Sequence, residues 1–503
     1  MGFRSETEPT LRAKTKRGLI WGGVEAGSRF ILQFVVMAVL ARLLTPGERG
    51  RADAALAIVG VAAVFGQLGV GPALVQRRED LRPEHLSSAF TFSSLFGLVT
   101  AGALYLLAPW ICGLFKNPMP PEILRWMSLA FPISGLAVVS ESLIQRSLRF
   151  DIIARAEIFS YLAGYGGLAT MLAAFDYGVW AIVWAHLAQL TIKSIMFILY
   201  AKWLPRAGWD SKSAKELMGF SGGITIARLA NHLATNGDNI VVNARLGESA
   251  LGFYGRAYQI MVAPANLIGQ VLEKVLFPAM SKVQEHNAPL ARVYRQGVRL
   301  LALSMLPASA AVFLLSPELV QVLLGDPWKP VGPALQILSA GLLFRTSMKM
   351  SNSLIRAKGA VGQMAACQII YMVSVLSAAW IGCHWGINGV SWGVLGAIFV
   401  CFVYAAGICH QLVGIRWGDF IADHIPGLLL ATIVIAAGLP ARMALEAAGV
   451  ESIIVLIGTG FIIALATLIP ALFLPSSMLG PDGAKLRDRA KKIVGKITRS
   501  DEA

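Results

Sequence analysis

The chain has 503 residues, of which 56% are hydrophobic and only 15% charged, and its mean hydropathy is +0.63. A soluble globular chain carries roughly 25% charge, so this composition excludes that class. The net charge of +15 invites a nucleic-acid partner, but the positive residues sit mostly at the ends of apolar runs, where they orient helices, and no nucleic acid is expected.

The first 17 residues are basic and polar, and the apolar run that follows contains Glu25 and Arg29 without a convincing cleavage site, so it reads as a retained first helix. Hydropathy then predicts about fourteen spans, near 19–43, 52–74, 87–112, 122–144, 152–175, 178–201, 217–246, 250–277, 297–320, 331–355, 361–384, 386–411, 421–445 and 452–474. They lack period-2 alternation, and in hydrocarbon every backbone polar group must be paired within the segment, so helices are expected rather than barrel strands. The fold class is therefore an all-α polytopic membrane protein.

Basic residues crowd the N-terminal tail and alternate loops: Arg77, Arg78 and Arg82; Arg146, Arg149 and Arg155; Lys202, Arg206, Lys212 and Lys215; Lys282, Arg292, Arg295 and Arg299; Arg356 and Lys358. This bias predicts both termini on the cytoplasmic side. The five cysteines, at 112, 367, 383, 401 and 409, fall in or beside apolar runs with no metal-ligand spacing, and buried thiols are expected.

Short motifs recur. Ser142-Leu143-Ile144 and Gly178-Val179 reappear as Ser353-Leu354-Ile355 and Gly389-Val390, each 211 residues later, and Ala41-Arg42-Leu43 reappears as Ala244-Arg245-Leu246, 203 residues later. The duplication predicts two six-helix lobes related as parallel repeats, residues 1–205 and 206–415, followed by two appended helices over 416–475 and a basic cytoplasmic tail over 476–503. Glycine groups such as Gly164, Gly166 and Gly167, and Gly389 and Gly393, read as close-packing positions.

Ionisable residues inside the membrane are costly and mark cavities or partners. The first span carries Glu25, Arg29 and Gln33. The seventh carries Arg228, Asn231, His232, Thr235, Asn239 and Asn243 on one face, with Asp238 beside it. The eighth carries Arg256, Glu273 and Lys274, and the tenth carries Arg345, Lys349, Asn352 and Arg356 in a single stripe. The expected substrate-binding residues are Arg29, Arg228, Arg256, Arg345, Lys349, Asn231 and Asn239, because guanidinium forks suit phosphate. Glu25 and Asp238 are the expected coupling-ion residues. The competing reading pairs Glu25 with Arg29 and Asp238 with Arg228 or His232. Glu141, Glu157, Lys193 and Arg442 lie near predicted helix ends and are expected to snorkel. No histidine pair, Walker A loop, paired-acid motif or nucleophile constellation appears, so no metal, cofactor or enzyme activity is expected.

Ala41-Arg42-Leu43-Leu44-Thr45-Pro46, followed by Leu68-Gly69-Val70-Gly71-Pro72-Ala73-Leu74-Val75-Gln76-Arg77, resembles the opening of the polysaccharide transporter branch of the MOP flippase superfamily, which includes Wzx-type flippases. Further matches are Leu143-Ile144-Gln145-Arg146-Ser147-Leu148-Arg149-Phe150, Asp238-Asn239 with Leu246-Gly247, Tyr254-Gly255-Arg256-Ala257-Tyr258, Leu276-Phe277-Pro278-Ala279-Met280-Ser281, and Leu324-Gly325 with Trp328. The resemblance extends over about Gly18 to Leu412. The segment Glu48-Arg49-Gly50-Arg51 departs from the aromatic-containing pattern common in relatives. The resemblance implies alternating-access transport of an undecaprenyl-diphosphate-linked oligosaccharide across the bacterial inner membrane, through a cationic cavity. Its expected partners are membrane lipids, a polymerase and a chain-length regulator. The rivals are a lipid II flippase, a multidrug exporter of the MATE type, whose usual cationic substrates suit a cationic cavity poorly, and a membrane polymerase or ligase, which the short outer loops disfavour.

Overall fold

The computed structural model describes residues 27–28, 30–67, 70–77, 81–115, 119–201, 203–211 and 221–473, all helix, turn or loop with no strand among them. Seven stretches among the described residues are long and apolar enough to cross a bilayer: Pro83–Gly113, Pro121–Arg146, Val179–Ala201, Asn287–Leu323, Gly362–Val413, Trp417–Ala447 and Ser452–Pro470. The chain is therefore a multi-pass membrane protein. Gly362–Val413, at 52 residues, would extend about 78 Å as one helix, far beyond a bilayer core of about 30 Å. It reverses at Cys383–Trp385 into two helices.

Two compact units divide the chain, Met1–Gly252 and Phe253–Ala503. In chain order the first contains α1 (Phe30–Leu43), α2 (Pro46–Gln67), α3 (Val70–Gln76), α4 (Pro83–Gly113), α5 (Pro121–Met127), α6 (Ala130–Arg146), α7 (Phe150–Tyr161), a π-helical turn over Leu162–Ala169, α8 (Thr170–Ala174), α9 (Val179–Ala201) and α10 (Ser221–Leu246). Next is α11 (Glu248–Lys282), which begins in the first unit and continues into the second. The second unit then adds α12 (Asn287–Leu323), α13 (Val331–Ser339), α14 (Leu342–Ala357), α15 (Val361–Gly382), α16 (Gly386–Val413), α17 (Trp417–Ala422), α18 (Ile425–Ala447) and α19 (Ser452–Phe473).

Helix boundaries recur at the spacing of the sequence motifs. Adding 211 to α5, α6 and the start of α7 gives 332–338, 341–357 and 361, against α13, α14 and the start of α15. Hydropathy predicts one helix over 122–144 and one over 331–355, yet each is broken, after Met127 and after Ser339. At each break a buried serine folds back on its own helix: Ser128 Oγ donates to the Arg125 carbonyl and Ser339 Oγ to the Gln336 carbonyl, both at 2.7 Å.

The first unit's core joins α2, α4, α5, α6 and α9 through residues such as Leu124, Met127, Ile182 and Val183, all at 0–1% exposure. Glycines set its crossings. A Cβ at Gly97 would lie 2.8 Å from the Phe131 carbonyl oxygen, and one at Gly135 would lie 2.7 Å from that of Ser93. Only small residues allow α4 and α6 to approach so closely. The same holds in the second unit for α15 against α16, where a Cβ at Gly382 or Gly393 would meet the carbonyl oxygens of Gly389 or Ala378. Gly164 likewise lies against the Ala185 carbonyl, 2.7 Å from where a Cβ would stand, so Gly164, Gly389 and Gly393 are packing glycines, whereas a Cβ at Gly166 or Gly167 would meet no other helix's backbone within 4 Å. All five cysteines are buried.

The atypical segment after Thr45 has a local explanation. Thr45 caps α2: its Oγ1 accepts the Glu48 amide at 3.3 Å, and the Glu48 carboxylate accepts the Thr45 amide at 2.9 Å. With Pro46 at the first helical position this is a capping box. Arg49 pairs with Asp53 at 2.9 Å and Arg51 with Glu248 at 2.6 Å, while Gly50 leaves no room for a side chain against the Glu248 backbone. The motif glycines Gly247 and Gly325 both adopt φ of +92°, which side-chain-bearing residues rarely tolerate.

Arg442 is held by partners within the protein. It donates to Glu318 at 2.9 Å and to the Leu314 carbonyl at 2.9 Å. Toward the opposite end of α12, Asp423 is wholly buried and accepts from Arg295 at 2.7 Å and Arg299 at 2.5 Å. Arg299 to Glu318 and Asp423 to Arg442 are each 19 residues, so α12 and α18 run in the same direction with ion pairs about 28 Å apart at 1.5 Å per residue.

Candidate functional site

The polar stripe expected on the tenth span lies on α14, which buries Leu342, Leu343, Thr346, Ser347, Met350, Ser351, Leu354 and Ile355. The opposite face carries Arg345, Lys349 and Asn352, all half-buried, and Arg356, which is exposed. Spacings of four, three and four keep them on one side of the helix. This amphipathicity also explains why α14, like α10 and α11, is absent from the seven apolar stretches.

Partners from neighbouring helices hold the cations in place. Arg345 donates through Nη1 to the Tyr258 hydroxyl and, at 3.1 Å, to the Tyr371 hydroxyl. Its guanidinium carbon also lies 5.0 Å from the centre of the Tyr258 ring, a favourable cation–π distance. Lys349 donates through Nζ to Asn266 Oδ1 at 2.9 Å. A Cβ at Gly269 would come within 3.2 Å of the Lys349 side chain, so a glycine at 269 leaves the lysine its place. Phenol and amide oxygens of neighbouring helices thus help to fix both side chains on one face of α14.

The other expected residues are spread more widely. Arg256 is 5% exposed and donates to Gln259 on its own helix. Asn231 is exposed and Asn239 half-buried on α10. Asp238 is 2% exposed, and its Oδ1 accepts the Asn239 amide at 2.9 Å. Glu25 and Arg29 lie outside the described residues, as does the side chain of Arg228. The structure therefore brings Arg345 and Lys349 together and adds Tyr258, Tyr371 and Asn266. Tyr258 stood inside a recognised motif; Tyr371 and Asn266 gave no signal, because they matter only through contacts from other helices. No metal-holding group of His, Cys, Asp and Glu occurs among the described residues.

This helical multi-pass fold has counterparts among solved structures. The lipid II flippase MurJ, in an inward closed conformation, superposes with a TM-score of 0.73 at 16% identity over 90% of this chain and 98% of that one. An inward-facing multidrug resistance MATE family transporter of the MOP superfamily gives 0.59 at 17% identity over 76% and 94%. These likenesses establish the fold. The family profile described as "Polysaccharide biosynthesis protein" matches residues 39–333, more than half the chain, and the chain belongs to that family. Among its relatives are the teichuronic acid biosynthesis protein TuaB of Bacillus subtilis (26% identical, covering 70% of this chain and 73% of that one) and the lipopolysaccharide biosynthesis protein WzxC of Escherichia coli (26%, covering 70% and 72%). The succinoglycan biosynthesis transport protein ExoT of Rhizobium meliloti is 27% identical, covering 84% and 83%.

Proposed function

We propose that the protein is a flippase carrying an undecaprenyl-diphosphate-linked oligosaccharide from the cytoplasmic to the periplasmic leaflet of the bacterial inner membrane, for exopolysaccharide, O-antigen or capsule synthesis. The observation that carries this reading is the α14 stripe: Arg345 and Lys349 sit one turn apart, each held by a neutral oxygen of another helix. A planar fork beside an ammonium suits a diphosphate, while the lipid tail stays in hydrocarbon. The family, and relatives named for lipopolysaccharide and succinoglycan biosynthesis, support the substrate class.

Fourteen crossings, both termini cytoplasmic and two parallel repeats that alternate access to the two leaflets complete the proposal. The recurrence of broken helices at a spacing of 211 residues supports the repeat, and the shared direction of α12 and α18 is what crossings nine and thirteen require. Arg228 and Arg29 are proposed to extend the phosphate path, and Asn231, Asn239 and Arg256 to flank it. Export of polymer in a strain lacking the chromosomal copy tests the reading. Arg345→Ala combined with Lys349→Ala should abolish export while the protein still inserts in the membrane. Undiminished export by that variant would remove the site.

A further inference from the structure

The polar face of α14 has a counterpart in the first unit. Positions 211 residues before Arg345, Lys349, Asn352 and Arg356 are Ser134, Val138, Glu141 and Gln145 on α6. All four line one cavity of about 230 Å³, and Lys193 and Phe197 of α9 face them across it. The chemistry differs between the two copies. Three of the four α14 residues are cations, whereas α6 offers a hydroxyl, a carboxylate and an amide around one valine.

These side chains keep hydrogen-bonding capacity in hand. Gln145 donates Nε2 to Glu141 Oε1 at 3.2 Å, which leaves the Gln145 carbonyl and the second Glu141 oxygen as acceptors. Lys193 donates through Nζ to Glu157 Oε1 at 2.7 Å, one use of an ammonium that has three N–H groups. The half-buried Ser134 makes no hydrogen bond among the described residues. Ser142 and Ser194 also border the cavity, but their hydroxyls are spent on the Val138 and Ile133 carbonyls at 2.8 and 3.2 Å, so they shape the wall without offering a donor. Phe197 closes one side with an apolar ring, its centre 5.7 Å from Lys193 Nζ. Donors and acceptors on two facing helices, beside an apolar wall, match a pyranose, which carries hydroxyls around its rim and C–H groups on its faces. Each hydroxyl both donates and accepts, and a carboxylate strengthens the bond it receives. A phosphate in the same place would meet the Glu141 carboxylate. A metal ion lacks ligands, since no metal-holding group of His, Cys, Asp and Glu occurs among the described residues. The volume falls below the roughly 300–1,000 Å³ that encloses a drug-sized ligand, which suits one sugar ring and excludes an oligosaccharide.

We propose that this cavity binds a single hexopyranose ring, with Glu141, Gln145, Ser134 and Lys193 taking its hydroxyls and Phe197 its apolar side. That the ring belongs to the exported cargo rests on the function proposed above; the fit of a sugar to the cavity does not. The duplicated helix face would then serve two parts of one substrate class, phosphate in the second copy and sugar in the first, by exchanging cations for neutral and acidic side chains at matched positions.

The test uses the full-length protein carrying Ser134→Cys, solubilised in a detergent without a sugar headgroup, and follows the rate at which a maleimide labels the introduced thiol; the native cysteines are all buried. At least one of methyl glucoside, methyl galactoside, methyl mannoside and methyl N-acetylglucosaminide should slow labelling saturably, and inorganic pyrophosphate should not. Adding Glu141→Leu should weaken that protection roughly 10-fold or more, the loss expected with a hydrogen bond to a charged group. Glu141→Gln, which keeps an acceptor, should weaken it less. Val138→Phe, which fills the cavity without removing a polar group, should abolish it. No labelling, labelling that none of the four hexosides slows, or equal protection by pyrophosphate overturns the proposal; so does protection that survives both Glu141→Leu and Val138→Phe. If hexoside protection holds but the Arg345→Ala, Lys349→Ala variant exports normally, the phosphate reading fails and the sugar cavity stands. If that variant loses export and no hexoside protects, the cavity proposal fails and the phosphate reading stands.

Discussion

Tyr258 and Tyr371 are the sharpest probes of the cationic stripe, because each can lose a single hydroxyl with its ring kept. Both phenol oxygens accept from Arg345 Nη1, and the Tyr258 ring also lies under the guanidinium. A hydrogen bond to a charged donor contributes about 1.5–3 kcal/mol, so Tyr258→Phe should weaken phosphate engagement roughly 10- to 150-fold if the bond holds the fork in its productive orientation. Tyr258→Ala should cost more, by the cation–π contribution of about 0.5–2 kcal/mol. Arg345→Lys keeps the charge but loses the fork, and should fall with the alanine variant rather than with the wild type. Binding of a polyprenyl diphosphate to the detergent-solubilised protein, followed by tryptophan quenching, gives the affinities; polymer export in cells gives the flux. If Tyr258→Phe, Tyr371→Phe and Arg345→Lys all bind and export as wild type, the stripe is structural and the phosphate path runs elsewhere.

Asp423→Ala should destabilise the second unit by about 1.5–3 kcal/mol, because two partly exposed guanidinium groups lose a buried carboxylate while Arg295 keeps Asp419 at 3.5 Å. Glu446→Ala, which removes a 46% exposed partner of Arg442, should cost about 0–1 kcal/mol, and thermal unfolding in detergent compares the two. Removing Arg295 and Arg299 together with Asp423 should recover much of the loss. Gly389→Leu would drive a side chain into Gly382 and Trp385, whose Cβ lies 2.6 Å from the added Cβ; misfolding should appear as aggregate in size-exclusion chromatography. Thr45→Ala removes the α2 cap and should cost about 1 kcal/mol, read from the midpoint of chemical unfolding.

Sequence periodicity found the α14 stripe because four polar residues at helical spacing need only one helix to be meaningful. It missed what depends on several helices meeting. Glu141, Glu157 and Lys193 each stand near the end of a different helix, and each alone is best explained by reaching for water; only their convergence makes them a cluster. Tyr371 and Asn266 gave no signal for the same reason. Apolar length alone finds seven stretches among the described residues, because α10, α11 and α14 give up hydrophobicity to carry polar faces. The short turns after Met127 and Ser339 were also invisible, since hydropathy runs through them unchanged. The glycines were legible in kind but not in partner: sequence marks where a helix can be approached, not which neighbour approaches.

The ion pairs joining α12 to α18 make the protein a gauge of its own bilayer. Salt bridges about 28 Å apart match a hydrocarbon layer of about 30 Å, and a bilayer of that thickness would set each pair near a lipid headgroup boundary. Shorter acyl chains would bathe both pairs in water and weaken them; longer chains would bury them and force the membrane to pinch or the helices to tilt, at fractions of a kcal/mol per Å. Turnover should therefore peak at one chain length and decline on either side, and a species with thicker membranes would need its homologous acid and arginine residues set a helical turn further apart.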